Sequence, residues 1–105
     1  MSEVVVVAEI GILSDKRDEA LGALERLCKE THAKDPGCLL YALHLDPADE
    51  SHVFMIEKWE SGEALQAHGG SDHIKAFAQS GVLTGAPQVT VLTAAGYGDA
   101  AMGIL

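Results

Sequence analysis

The sequence predicts an α+β domain of ferredoxin-like topology: a four-stranded antiparallel sheet with helices on one face. Three observations lead there. Strand-like and helix-like segments follow one another in the order βαββαβ, which is the split unit of that fold. The strand segments carry apolar residues on both faces, so the sheet needs a cover on each side. A chain of 105 residues, 48% hydrophobic and 22% charged, suits one core and no second independent one.

The elements follow in order. Val4 to Leu13 is β-branched and apolar with Glu9 its only charge, and reads as a buried strand. Ser14 or Asp15 is placed to cap the next helix, and Asp18 and Glu19 suit its positive first turn. Ala20, Leu21, Leu24, Leu27, Cys28 and Thr31 recur at three- and four-residue steps and make one apolar face. Gly22 interrupts that helix at a cost of about 1 kcal/mol against alanine, which points to close packing there. Pro36-Gly37 closes the connection. Cys38 to Leu45 and His52 to Glu60 form a hairpin around the turn-forming loop Asp46 to Ser51. Ser61 caps a short helix over Gly62 to His68, which Gly69-Gly70 interrupts. Ser71 starts a second piece with Ile74, Phe77 and Ala78 on one face, closed by Ser80-Gly81. Val89 to Thr93 is the last strand.

In the second strand Leu39, Tyr41 and Leu43 are expected on one face, Leu40 and Ala42 on the other. The simplest cover for the helix-free face is a second copy, in an isologous homodimer. Residues 1–95 are expected to form the domain and residues 96–105 a tail that reaches toward the partner. A net charge of −9, with seven Lys and Arg, repels phosphate backbones and excludes a nucleic-acid role. No apolar run approaches the roughly 20 residues that cross a bilayer, so the expectation is a cytoplasmic protein with no membrane partner. Cys28 and Cys38 lack CxxC spacing and read as two buried, reduced thiols.

Motifs for nucleotide cofactors are missing: there is neither GxGxxG nor GxxxxGK[ST]. His68 and His73 stand five apart across a helix break, a poor metal spacing, and Asp46 to Glu50 is no calcium loop. No metal and no bound cofactor is expected. What stands out is Glu57-Lys58-Trp59 at a strand end, Ala67-His68 at a helix end, and His73-Ile74-Lys75-Ala76-Phe77 soon after. With Val7-Ala8-Glu9-Ile10 and Pro36-Gly37-Cys38-Leu39-x-Tyr41, this pattern resembles the antibiotic biosynthesis monooxygenase family over Val4 to Leu92. The resemblance implies a dimeric α/β barrel with a pocket between sheet and helices in each subunit. Its members include oxygenases that turn quinols and polyketide phenols into quinones with dioxygen alone. Others degrade haem, and similar proteins isomerise phosphorylated small ketones. The positions corresponding to the haem degraders' Asn, Trp and His hold Ile10, His68 and Ala78, so haem degradation is not expected.

The leading expectation is therefore a cofactor-free monooxygenase of a small quinol or phenol. The alternatives are an isomerase of a small keto compound and a non-catalytic ligand-binding or stress-associated barrel. His68, beside glycines that let backbone approach a ligand, is the candidate catalytic base. Trp59, on one strand face with Glu57 and Met55, either packs the core or stacks on the substrate. Tyr41, Glu57, His73 and Glu9 are the further candidate substrate-binding residues; the two acids lie in greasy strands and need partners there. Lys58 points the other way. His32 reads as a favourable partner for a helix C-terminus, and His44 and His52 as exposed residues beside the hairpin loop.

Overall fold

A computed structural model describes residues 3–105. The strands are β1 (Val4–Gly11), β2 (Cys38–Leu45), β3 (His52–Trp59) and β4 (Gln88–Leu92). The helices are α1 (Arg17–Lys34), α2 (Gly62–Gly69) and α3 (Asp72–Ala78). All pairings are antiparallel and the sheet order is β2-β3-β1-β4, the ferredoxin-like arrangement.

Strict alternation builds the covered face. Val6, Ala8 and Ile10 of β1 and Val53, Met55, Glu57 and Trp59 of β3 are buried there. Against them α1 lays Ala20, Ala23, Leu24, Leu27 and Thr31. Each large apolar side chain buried this way contributes about 1.5–3 kcal/mol. The opposite face carries Val5, Val7, Leu40, Phe54 and Ile56 with no helix over them.

Several expectations are corrected. The first strand stops at Gly11, because Leu13 N–H bonds to Val82 O (2.8 Å) and the chain turns at once into a 3-10 turn, Ser14–Lys16. Ser14 and Asp15 are used in that turn and neither caps α1. A bulge between Cys38 and Leu40 turns Leu39 out of the alternation, so Cys38, Tyr41 and Leu43 share the covered face while Leu39 is exposed. A Cβ at Gly22 would meet only Arg26 Nη1, at 3.9 Å, so no close packing requires that glycine. His52 is half-buried between Glu9 (3.4 Å) and Asp46 (3.2 Å), whereas His44 is exposed as expected. His32 ties α1 to the sheet through Tyr41 O (2.9 Å).

Ser61 and Ser71 do cap α2 and α3, accepting from Ala64 N–H (3.1 Å) and Ile74 N–H (3.3 Å). β4 departs from the rest of the sheet. Val89 and Val91 pair with Ala8 and Val6 and so share the covered face, yet they are 59% and 54% exposed. The helices do not reach that edge. At the far end of the chain, Lys58 Nζ on the open face donates to Leu105 O (2.6 Å), so the tail returns to the helix-free side of its own sheet. No helix of the described residues is long and apolar enough to cross a membrane.

Candidate active site

Between the covered sheet face and the helices lies a cavity of about 370 Å³. Its wall is apolar except for three side chains, Tyr41 from β2, Glu57 from β3 and His68 from the last turn of α2. Val89 and Pro87 stand at its lip, on the edge the helices leave uncovered. No Lys or Arg lines it.

His68 is 5% exposed, and its Nδ1 lies 2.5 Å from Asp35 Oδ2. Asp35 also receives His73 Nε2–H at 2.9 Å. An ionised carboxylate only accepts, so His68 carries its hydrogen on Nδ1 and leaves Nε2 without a partner among the described residues. Burial, with the neighbouring His73, holds His68 below its ordinary pKa against the pull of Asp35, so the imidazole stays neutral. Burial works against the charge on Asp35, yet the bonds from His68 and His73 outweigh it and keep this carboxyl below the usual range.

A local turn delivers Asp35. Its N–H closes α1 on Thr31 O (3.1 Å), and Gly37 follows with φ of 83°. A Cβ at Gly37 would stand 2.8 Å from both Ala64 Cβ and Glu60 Cγ, so only glycine lets this turn dock where β3 passes into α2. Glu60 N–H completes the junction on Gly37 O (2.9 Å). On the other side Ser71 Oγ–H donates to His68 O (2.6 Å), fixing the α2–α3 corner that aims both histidines at one carboxylate.

Glu57 is 5% exposed and takes Trp59 Nε1–H on Oε1 (2.9 Å). Burial pushes its carboxyl up to about 7, and the indole bond only partly opposes this. Burial also raises the Tyr41 phenol far above its normal value, with Glu57 adding to the effect, so Tyr41 keeps its hydrogen. No protein partner for that hydroxyl is found among the described residues.

The predicted residues thus divide. His68, Tyr41 and Glu57 come together on one wall, with ring centroids of Tyr41 and His68 5.0 Å apart. Trp59 is completely buried behind that wall, 4.7 Å from the His68 ring, and cannot stack on a molecule in the cavity. His73 lies behind His68 on Asp35 and does not line the cavity. Glu9 is on the opposite sheet face, paired with His52, because its position in β1 is one residue out of phase with Ala8 and Ile10. Asp35 was not anticipated. Its only sequence signal was an acid directly before a Pro-Gly turn, which ordinary turn chemistry explains equally well.

Fold and site together define a small ferredoxin-like domain with an acid–base cluster on the wall of an apolar cavity. The family model for antibiotic biosynthesis monooxygenase matches residues 3–80, and the chain belongs to that family. Among its relatives, YcnE of Bacillus subtilis, whose monooxygenase description is provisional, is 30% identical over 78 residues, 74% of this chain and 81% of that one. A Caulobacter crescentus protein, provisionally described as an antibiotic biosynthesis monooxygenase, has a crystal structure that superposes with TM-score 0.83. It is 30% identical, covering 89% of this chain and 90% of its own. Rv0793 from Mycobacterium tuberculosis gives TM-score 0.78 at 31% identity, over 88% of this chain and 94% of its own.

Proposed function

We propose that this protein is a cofactor-independent monooxygenase that oxidises a small, uncharged hydroxylated aromatic, such as a quinol, with dioxygen. The observation that carries the reading is His68: its Nδ1–H is held by half-buried Asp35 and its Nε2 is left for an apolar cavity. Family membership supports the reaction class. The absence of a cationic side chain from the wall supports an uncharged substrate over a phosphate or carboxylate.

In this mechanism Nε2 of His68 takes the hydroxyl proton of the substrate, and Asp35 steadies the imidazolium that forms. Tyr41 and Glu57 hydrogen-bond the substrate oxygens and set the ring in the cavity. Trp59 acts from behind, orienting Glu57 through its indole N–H. The electron-rich phenolate reduces dioxygen. One oxygen atom enters the ring, the other leaves as water, and the ring ends as a quinone. Exclusion of water protects the intermediate.

The working unit is proposed to be a homodimer. Val5, Val7, Leu40, Phe54 and Ile56 form an apolar face without a helix, and Val89 and Val91 are bare at the sheet edge. The tail that meets Lys58 lies on this same face and would fall within the contact.

Dioxygen uptake with a menadiol-type quinol tests the reaction, and His68→Ala should abolish turnover. Full activity in that variant would remove the assigned base. A second reading, proton transfer on a small keto compound, is favoured by one observation: Glu57, with its carboxyl at about 7, shares the wall with His68. Such an isomerase consumes no oxygen, so the electrode separates the two. A non-catalytic barrel is disfavoured by the open cavity and the depressed basicity of His68.

A further inference from the structure

Asp35, His68 and His73 belong to three different segments, the end of α1, the last turn of α2 and the first turn of α3. Asp35 Oδ2, His68 Nδ1 and His73 Nε2 lie within 4.8 Å of one another. We propose that these three side chains form a binding site for a divalent transition-metal ion of the zinc class, distinct in its atoms from the cavity-facing Nε2.

The donor set is the first argument. Two imidazoles and one carboxylate suit a borderline cation, with a fourth position left to water. The geometry is the second. Donors bound at about 2.0–2.1 Å around a tetrahedral ion stand about 3.3 Å apart. The present separations from Asp35 Oδ2, 2.5 Å to His68 and 2.9 Å to His73, need to open by less than about 1 Å. Access is the third. Outside the core, between α1 and α3, a cleft of about 600 Å³ reaches Asp35 and His73; Glu30, paired with Lys34 (2.6 Å), Arg26 and Asp72 stand on its walls. Leu27 and Phe77 line both this cleft and the cavity and separate them, so an ion enters without crossing the substrate space.

Binding takes the hydrogen off each ligating nitrogen. The His68 hydrogen moves from Nδ1 to Nε2, and His73 gives up the hydrogen on Nε2. On the proposed function above, the cavity-facing nitrogen of His68 then donates and can no longer take a proton, so the ion switches the base off.

Calorimetric titration of the chelator-treated full chain with Zn²⁺, together with Co²⁺ absorption spectra, tests the site. One ion per chain with saturable binding is expected. His73→Gln should weaken it at least about 100-fold, since losing even an outer partner of a metal ligand costs 10–100-fold. His44→Gln, at an exposed position, should leave it unchanged. Absence of saturable binding overturns the proposal. So does binding that survives His73→Gln, or that is lost instead on His52→Gln, the other histidine beside carboxylates. If His73→Gln does not fold, imidazole ¹⁵N spectra of the native chain decide: Zn²⁺ must move Nδ1 of His68 and Nε2 of His73, and unmoved signals refute the site. Failure here leaves the oxygen-uptake result untouched, and failure of oxygen uptake leaves ion binding untouched.

Discussion

Replacing Glu57 with Gln removes a buried carboxyl while keeping an oxygen for Trp59 Nε1–H and nearly the same volume. The effect on stability depends on pH in a direction the structure fixes. In the unfolded chain this carboxyl titrates near its ordinary 4.5, and in the folded protein burial pushes it up to about 7. Between those values the unfolded chain loses the proton and the folded protein keeps it, so stability falls as pH rises. Below about 4.5 the group costs nothing; above about 7 both states are ionised and the cost is constant. At about 1.4 kcal/mol per pH unit, the displacement from 4.5 to about 7 sets a ceiling of about 3–4 kcal/mol. Glu57→Gln escapes that loss. Its stability relative to the native chain should therefore improve by up to about 3–4 kcal/mol between pH 4 and pH 8. Urea denaturation at both pH values measures it, as a relative midpoint shift of about 1–2 M for slopes of 1.5–3 kcal/mol/M. Comparing the two proteins at each pH cancels the carboxyls they share. A stability difference that is the same at pH 4 and pH 8 would refute the raised pKa and, with it, a neutral acid on the cavity wall near pH 7.

Four further outcomes follow from the same geometry. Asp35→Asn should keep the fold but lower turnover by about 10²–10⁴, because the hydrogen on His68 Nδ1 is no longer required; steady-state kinetics with a quinol checks this. Gly37→Ala should cost about 1–3 kcal/mol, from a Cβ 2.8 Å from two neighbours at φ of 83°, read as a lowered thermal midpoint. Gly22→Ala should instead stabilise by about 0.5–1 kcal/mol, since its new methyl meets only an arginine tip at 3.9 Å; an unchanged or lower midpoint would show a packing constraint. Trp59→Phe removes the bond that lowers the Glu57 pKa, so that carboxyl should titrate still higher in an NMR pH series.

The sheet was legible because its signals are local and repeated. Alternation over β1 and β3 fixed which residues face the helices, and serines at 61 and 71 announced two helix starts by their capping chemistry. The errors fall where a tertiary contact overrides a local rule. Leu13 bonds to Val82, far along the chain, and this shortens β1 and takes Ser14 from its capping role. The bulge at Leu39 is set by pairing with β3 and puts Cys38 and Leu39 out of the expected phase. In the site, Glu57 could be named because an acid in an apolar strand demands a partner, and His68 because it ends a helix beside two glycines. Glu9 met the same criterion but had a different answer, a histidine on the open face. Asp35 could not be found that way. It stands in a turn where acids are common, and its meaning comes from two histidines 33 and 38 residues away.

That dependence also explains why the cluster sits where it does. A neutral histidine beside an apolar cavity can carry its hydrogen on either nitrogen, and the hydrogen bond made by one of them decides which. Here the distinguishing carboxylate cannot come from the sheet, because an ionised acid on the covered face would meet the same burial that raises Glu57. It comes instead from the end of α1, where the outer cleft reaches it and two imidazole N–H groups complete its shell. One carboxyl, deep in the wall, has its pKa raised to about 7; the other, at the helix junction, stays ionised and fixes the His68 tautomer. The family's sheet supplies the cavity, but this division of labour rests on the turn at Gly37, and any substitution that moves the turn should disable His68 without touching the cavity wall.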